Sequence, residues 1–205
     1  MKIAVYGGNG MVGSQIVNEA LSRGHEVTSL SRSGELADPA LEGKVLSQQA
    51  DISDLGTVQL LATRNDVIVV SIPPSRTGED HAPLLAAHEQ LAETLLPARL
   101  FIVGGAGALQ AGDGMLKDQP GFPEEYKPEA ETMAKVLDAY RDSSGVDWTM
   151  LAPAPMIAPG ERTGNYTLGA ESPVGESIST QDFAVAVLDE IENPQHRERR
   201  FTVAN

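Results

Sequence analysis

The sequence predicts an α/β domain built on a doubly wound parallel sheet, with helices on both faces and a small C-terminal extension. Three observations carry this expectation. Short β-branched runs alternate with segments of helical periodicity along the 205 residues, the rhythm of βα units whose right-handed crossovers make parallel sheets. Asp66-Val67-Ile68-Val69-Val70-Ser71-Ile72 is apolar nearly throughout, as a strand covered on both faces requires, and so belongs near the sheet centre. Lys2 to Arg32 sets an apolar run, a glycine-rich turn, a helical pattern and a second apolar run in immediate succession. No linker divides the chain, so residues 1–205 read as one domain whose extension begins at about residue 153.

Each element follows from local pattern. Ile3-Ala4-Val5-Tyr6 has the character of a buried strand and breaks at Gly7-Gly8-Asn9-Gly10-Met11-Val12-Gly13. From Met11 the apolar residues Val12, Ile16, Val17, Ala20 and Leu21 recur at helical spacing until Gly24, and Glu26–Leu30 is a second strand. A polar, irregular connection through Asp38-Pro39 leads to a short third strand, Lys44–Gln49. Ser53 or Asp54 caps a helix with Leu55, Val58, Leu61 and Ala62 as its apolar positions. Pro73-Pro74 ends the central strand, and a helical pattern runs from about Asp80 to Leu96. Arg99–Val103 is the fifth strand, stopping at Gly104-Gly105-Ala106-Gly107-Ala108 before a polar, glycine-rich loop from Leu109 to Pro123. Glu124–Ser143 is mostly helical with Ala134, Leu137, Ala139 and Tyr140 inward, and Asp147–Leu151 is a sixth strand ended by Pro153 and Pro155. Loop-like sequence with a short strand at Tyr166–Leu168 leads to the last helix. That helix begins at Thr180-Gln181-Asp182, turns Phe183, Val187, Leu188 and Ile191 inward, and ends at Asn193-Pro194. Arg200–Val203 closes the sheet as an edge strand.

Strand, glycine turn, helix, strand is the context in which three spaced glycines bind a dinucleotide. Here Gly7, Gly10 and Gly13 are each three apart. The first glycine permits a tight turn, the second lets backbone approach a pyrophosphate, and the third lets helix and strand pack closely. Free N–H groups at the helix start then bind phosphate. Gly8, Asn9, Met11 and Val12 complete the predicted phosphate loop. The fold class is thus Rossmann-like.

Ligands of a doubly wound sheet bind outside the carboxyl ends of its strands. Those ends supply the remaining candidates: Ser31-Arg32-Ser33, Asp51-Ile52, Ser71-Ile72-Pro73 and Gly104-Gly105-Ala106. An NAD site places a carboxylate at the end of the second strand to bond the ribose 2′-hydroxyl. Ser31-Arg32-Ser33 has none, whereas a guanidinium flanked by hydroxyls suits a 2′-phosphate. NADP(H) is therefore favoured over NAD(H), the alternative being a solvated surface arginine. Asp51 and Ile52 suit an adenine, one by hydrogen bonding and one by packing, although Asp51 would equally suit a helix cap. Gly104 and Gly105 would also serve as a plain turn.

No catalytic acid emerges. The Tyr-x-x-x-Lys pair of short-chain dehydrogenases is absent: Tyr6, Tyr126, Tyr140 and Tyr166 are followed four residues on by Gly10, Ala130, Ser144 and Ala170. Tyr126, Arg162 and Tyr166 remain as substrate-side candidates, with a loop anchor and a surface turn as the competing readings of Tyr126 and Arg162. There is no cysteine, which removes thiolate chemistry, and His25, His81, His88 and His196 lack metal-ligand spacing, so no metal is expected. A formal net charge of −14 lacks the cationic surface that nucleic-acid backbones demand. No signal segment or bilayer-length apolar run is found, and the expected setting is cytoplasmic, off the membrane.

With these residues assembled, the chain resembles the atypical short-chain dehydrogenase/reductases called NmrA-like or NAD(P)H-binding. It is most similar to their small flavin-reductase-like and biliverdin-reductase-B-like members. The matching features are Ala4–Gly13, Ser31-Arg32, Ala50-Asp51-Ile52, Val103–Leu109, Asp147-Trp148-Thr149 and Pro159-Gly160-Glu161-Arg162-Thr163-Gly164, which together span nearly the whole chain. The resemblance implies a nicotinamide cofactor on the glycine loop, Arg32 and Asp51, with the nicotinamide near Ser71–Pro74 and Gly104–Ala106. Two positions depart from the family pattern: Ala108 stands where serine is common, and Ala152-Pro153 where Arg-Pro is usual. The function expected is an NAD(P)H-dependent oxidoreductase passing hydride to a small planar acceptor such as a flavin or quinone. The alternatives are a non-catalytic NADP(H)-sensing protein and, more weakly, a sugar-nucleotide epimerase or dehydratase. The last class generally needs the tyrosine–lysine pair and a larger C-terminal domain.

Overall fold

Eight strands form one sheet in the computed structural model, which describes residues 1–205. In chain order the elements are β1 (Lys2–Tyr6), α1 (Gly13–Ser22), β2 (Glu26–Ser31), β3 (Leu46–Gln49), α2 (Leu55–Ala62), β4 (Val67–Val70), α3 (Ala82–Ala92) and β5 (Arg99–Val103). A small hairpin, β6 (Gln110–Ala111) and β7 (Gly114–Met115), precedes α4 (Lys127–Arg141) and β8 (Trp148–Pro153). The chain ends with β9 (Met156–Ala158), β10 (Thr167–Gly169), β11 (Ser177–Ser179), α5 (Thr180–Glu192) and β12 (Arg199–Ala204). The main sheet runs β10-β12-β8-β5-β4-β1-β2-β3, parallel throughout except for the β10–β12 pair. Strand order reverses between β1 and β4, which creates the crevice where such sheets bind ligands.

Alternation along the strands divides the interior in two. Ile3 and Val5 of β1 face α1 and α5, in a cluster with Ile16, Val17, Phe183, Val187 and Leu188. Ala4 and Tyr6 face the other way, toward α2, α3 and α4, among Leu30, Val58, Leu91, Leu137 and Tyr140. β4 is buried at all four residues and sits between β1 and β5, as its uninterrupted apolar sequence predicts. The sheet is therefore sandwiched by helices, and the Rossmann-like architecture expected from the sequence is present. No helix is long and apolar enough to cross a membrane.

The structure differs from expectation at the sheet edge. β12 is an interior strand, paired in parallel with β8 on one side and antiparallel with β10 on the other. Residues Arg200 to Ala204 are accordingly buried. The Leu109–Pro123 stretch is not a plain loop, because Leu109 is fully buried and anchors the β6–β7 hairpin, accepting the Leu116 N–H at 2.8 Å. α1 starts at Gly13, with Val12 as an N-cap that offers no side-chain acceptor. Of the two candidate caps for α2, Asp54 fills the role, accepting the Thr57 N–H at 3.1 Å.

α5 has a different start. Ser179 Oγ accepts the Asp182 N–H at 2.9 Å and donates to the Glu161 carbonyl at 2.8 Å, so one hydroxyl caps the helix and holds the preceding loop. Ser179→Ala is expected to lower unfolding stability by about 1 kcal/mol. Urea denaturation checks this as a lower midpoint at unchanged slope.

Candidate functional site

A cleft of about 740 Å³ opens at the carboxyl ends of β1 to β4, at the point where strand order reverses. Its walls come from the glycine turn, the Ser31–Ser33 corner, Ala50–Ser53 and the segment that follows β4. Eleven positions anticipated from sequence meet there: Gly7, Asn9, Gly10, Ser31, Arg32, Ser33, Asp51, Ile52, Ser71, Ile72 and Pro73.

The glycine turn is packed so tightly that side chains cannot enter it. Gly7 has φ +77°, and a Cβ there would stand 2.2 Å from the Ser71 carbonyl oxygen. A Cβ on Gly13 would stand 2.1 Å from the Gly7 carbonyl oxygen, and one on Gly8 would stand 2.2 Å from Ser29 Oγ. Gly7 and Gly8 both donate to the Leu30 carbonyl, and Gly10 N–H closes the turn onto Gly7 O at 2.9 Å. The N–H groups of Met11, Val12 and Gly13 make no hydrogen bond within the chain, and the first turn of α1 has no acidic residue. Three unpaired donors at a helix start, with the helix dipole behind them, suit an anion. Asn9 has another task. Its Nδ2 donates to Glu35 O at 2.7 Å and its Oδ1 accepts Ala37 N–H at 3.1 Å, so it pins the β2–β3 connection beside the turn.

At the end of β2, Ser31 and Ser33 shape the corner: Ser31 Oγ accepts Gly34 N–H at 3.0 Å and Ser33 Oγ accepts Glu35 N–H at 3.2 Å. Gln49 Nε2 donates to the Arg32 carbonyl at 2.9 Å, leaving the exposed guanidinium of Arg32 without a hydrogen bond or ion pair to any protein group. Across the cleft, Asp51 Oδ1 accepts both Ser53 N–H at 2.9 Å and Ser53 Oγ–H at 2.6 Å. These bonds hold its carboxyl below the usual carboxylate range, the Ser53 hydroxyl contributing most, with a further contribution from the Arg32 charge. Asp51 therefore closes a turn of its own and does not cap α2.

Several wall residues were not anticipated. Tyr6 ends β1 with its hydroxyl buried and unpartnered. Burial, and then the charges of Asp54 and Asp51, push that phenol well above its ordinary range. Ser53, Ser75, Glu79, Asp80, His81, Pro83 and Leu84 also line the cleft. The signal for them was the Pro73-Pro74 break, which directs the chain over the crevice rather than back along the sheet. His81 fastens this segment: Nε2 bonds Ser75 O and Nδ1 bonds Thr132 Oγ1 on α4, both at 2.8 Å.

Other sequence candidates lie elsewhere. Met11 and Val12 belong to the helix start rather than the cleft wall, and Gly8 and Gly13 serve the packing just described. Gly104, Gly105 and Ala106 follow β5, beside the end of β4; Gly104 N–H bonds Leu151 O at 2.8 Å and Gly105 lies against Met133. Tyr126 precedes α4 with the Arg76 guanidinium 5.1 Å from its ring centroid, and Arg76 is paired with Glu129. Arg162 makes a two-point ion pair with Glu19 of α1, at 2.7 and 2.8 Å, and Tyr166 donates to Asp189 of α5. Neither residue lines the cleft: Arg162 is committed to Glu19, which is buried on α1, and Tyr166 to Asp189 on α5. No cluster of three or more His, Asp or Glu side chains is arranged to hold a metal ion.

A tight glycine turn between β1 and an uncapped helix, in a reversing parallel sheet, defines a nucleotide-binding protein of the Rossmann class. The sequence profile of the NAD(P)H-binding family matches residues 7–194, and the chain belongs to that family. It is 35% identical to the uncharacterized protein YwnB of Bacillus subtilis, over 100% of this chain and 99% of that one. It is similar to the crystal structure of a Streptococcus pneumoniae protein provisionally named an NADH-flavin reductase, with TM-score 0.84, 32% identity, and coverage of 100% of this chain and 99% of that one. A Bacteroides thetaiotaomicron structure, provisionally named an epimerase, aligns with TM-score 0.82 and 31% identity over 99% of this chain and 96% of that one. The relatives share the fold and differ in the reaction that their names suggest.

Proposed function

We propose that the chain is an NAD(P)H-dependent oxidoreductase, preferring NADPH, that delivers hydride to a planar acceptor of the flavin or quinone kind. The observation that carries this reading is the cleft itself, lined by the tight glycine turn and by Arg32 with its unpaired guanidinium, and with the unpaired start of α1 directly following that turn. The donor set fits the cofactor. The N–H groups of Met11, Val12 and Gly13 are suited to the pyrophosphate, and Arg32 with Ser31 and Ser33 to a 2′-phosphate. Asp51 and Ile52 are suited to the adenine. Ser71, Ile72 and Pro73, with Gly104, Gly105 and Ala106 across the β4–β5 seam, are suited to flank the nicotinamide.

A bound reduced nicotinamide supplies the hydride. The protein's part is positioning: it holds the donor ring at the strand ends and leaves one face toward the acceptor. No tyrosine–lysine pair stands ready to protonate a product, so any proton comes from water. Residues 1–205 act as a single domain, with Tyr126 on its substrate side and with α5 and β12 belonging to the core rather than to an appendage. A nicotinamide-dependent reductase draws on the cell's internal pool of reduced cofactor, which supports a cytoplasmic setting. The Streptococcus pneumoniae relative's name supports the flavin end of the acceptor range.

The missing tyrosine–lysine pair also favours a second reading, a protein that senses NADP(H) without turning it over. One experiment separates the two: NADPH oxidation followed with FMN, FAD and a panel of quinones, beside a direct NADPH titration. The oxidoreductase reading expects turnover well above the protein-free rate with at least one acceptor. Tight binding with background rates throughout would establish the sensor instead.

A further inference from the structure

The first turns of α4 stand against both segments that flank the nicotinamide in the function proposed above. Ala130 and Met133 lie under the turn after β5. A Cβ on Gly107 would come within 2.4 Å of Ala130 Cβ, and one on Gly105 within 3.4 Å of Met133 Cγ. Glu129 and Thr132 hold the segment after β4, through Arg76 and His81. Tyr126 begins this run, one turn ahead of Ala130, and is 39% exposed. The Arg76 guanidinium lies over its ring, 5.1 Å from the centroid, and is fixed there by two hydrogen bonds donated to Glu129 at 2.5 and 3.0 Å. An electron-rich ring braced by a fixed cation and left open to solvent is a platform for a flat ligand.

The charge around this platform is one-sided. Residues 76–81 and 124–129 carry five carboxylates and two cations. Both cations are already spent, Arg76 on Glu129 and Lys127 on Glu124. Glu79, Asp80 and Glu125 are left without a cation, and all three are exposed. We propose that Tyr126 and Arg76 form the stacking surface for the acceptor, and that these carboxylates restrict it to uncharged planar rings, favouring riboflavin or a neutral quinone over FMN or FAD. The inference rests on the oxidoreductase reading. A phosphate-bearing ring meets net repulsion at this mouth, and bound NADPH adds its own phosphates to it, whereas a neutral ring meets none. The acceptor takes the hydride with its two electrons from NADPH and a proton from water, leaving NADP⁺.

The test uses pairs of acceptors that share a ring and differ in charge: riboflavin against FMN, and a naphthoquinone against its sulfonate, each titrated at saturating NADPH. At about 10 mM salt the wild type is expected to show a KM about tenfold lower for the neutral member, narrowing to about threefold at about 150 mM. Glu125→Lys reverses one unpaired charge. It is expected to lower the KM of the charged members about fivefold and to move the neutral ones by less than about twofold. Tyr126→Ala is expected to raise the KM of the neutral rings about tenfold while NADPH titrates as in wild type, and Tyr126→Phe to restore them. Equal KM values within each pair, or a lower one for the charged member, overturn the inference and leave the oxidoreductase reading standing. A Tyr126→Ala protein that keeps the wild-type KM for the neutral rings overturns it too. Binding of NADPH with none of the four acceptors turned over removes the oxidoreductase reading, and this inference with it.

Discussion

Arg32→Ala is expected to weaken NADPH binding by about 10- to 100-fold while changing NADH binding by less than about twofold. The guanidinium pays no debt to the rest of the protein: it makes no ion pair, and only the Arg32 backbone carbonyl is engaged, by Gln49. Its removal should therefore leave the fold alone and subtract only what it does for a ligand. A 2′-phosphate accepts two or three charge-assisted hydrogen bonds that a 2′-hydroxyl cannot replace, which is why the loss should fall on one cofactor. Raising the salt concentration should narrow the difference, because Arg32 is solvent-exposed and its attraction is screened. Parallel titrations of both nucleotides check it. Equal losses for the two would show that Arg32 stays clear of the ribose.

The second large effect is expected at Gly7. Gly7→Ala places a methyl group 2.2 Å from the Ser71 carbonyl oxygen at a residue with φ +77°. The left-handed backbone alone costs a non-glycine residue about 1–3 kcal/mol, and the enforced shift of β4 away from β1 adds a comparable amount. The expected result is a fall of about 3 kcal/mol or more in unfolding stability, with NADPH binding lost even at temperatures where the variant stays folded. Gly43→Ala is the control: its φ is also +77°, but a Cβ there meets nothing within 4 Å. It should be destabilised by the backbone term only and should bind normally. Thermal melts with and without NADPH separate these outcomes.

The frame of the fold was legible because its signals are local. β4 declares its central place by four buried apolar residues in a row, and the glycine turn sits directly between a strand and a helix. Much of the lining of the cleft was legible for the same reason, since strand ends can be read off the chain. Long-range geometry was not. Arg162 stands in the loop after β9 and reads as a ligand clamp, yet its partner Glu19 is 143 residues away on α1. Tyr166 has the same history with Asp189. Tyr6 reads as the end of a buried strand and lacks the tyrosine–lysine spacing, and nothing in its neighbours shows that its hydroxyl is left without a partner. β12 reads as an edge strand because the short strand at Tyr166–Leu168, which becomes β10, carries no local sign that it pairs beyond it.

The ion pairs behind α1 also bear on how the protein can be divided. Arg23 reaches Glu19 on its own helix, and Asp189 and Glu192 on α5, at 2.7–2.8 Å, while Arg162 holds Glu19 from the loop after β9. The helix that follows the glycine turn is thus backed by the last third of the chain. A fragment that stops after the sixth parallel strand would keep every glycine and lose the support that aims them. Engineers seeking a minimal nucleotide-binding module should expect none shorter than the whole, and exchange of C-terminal segments between relatives should alter cofactor affinity without touching a single cleft residue.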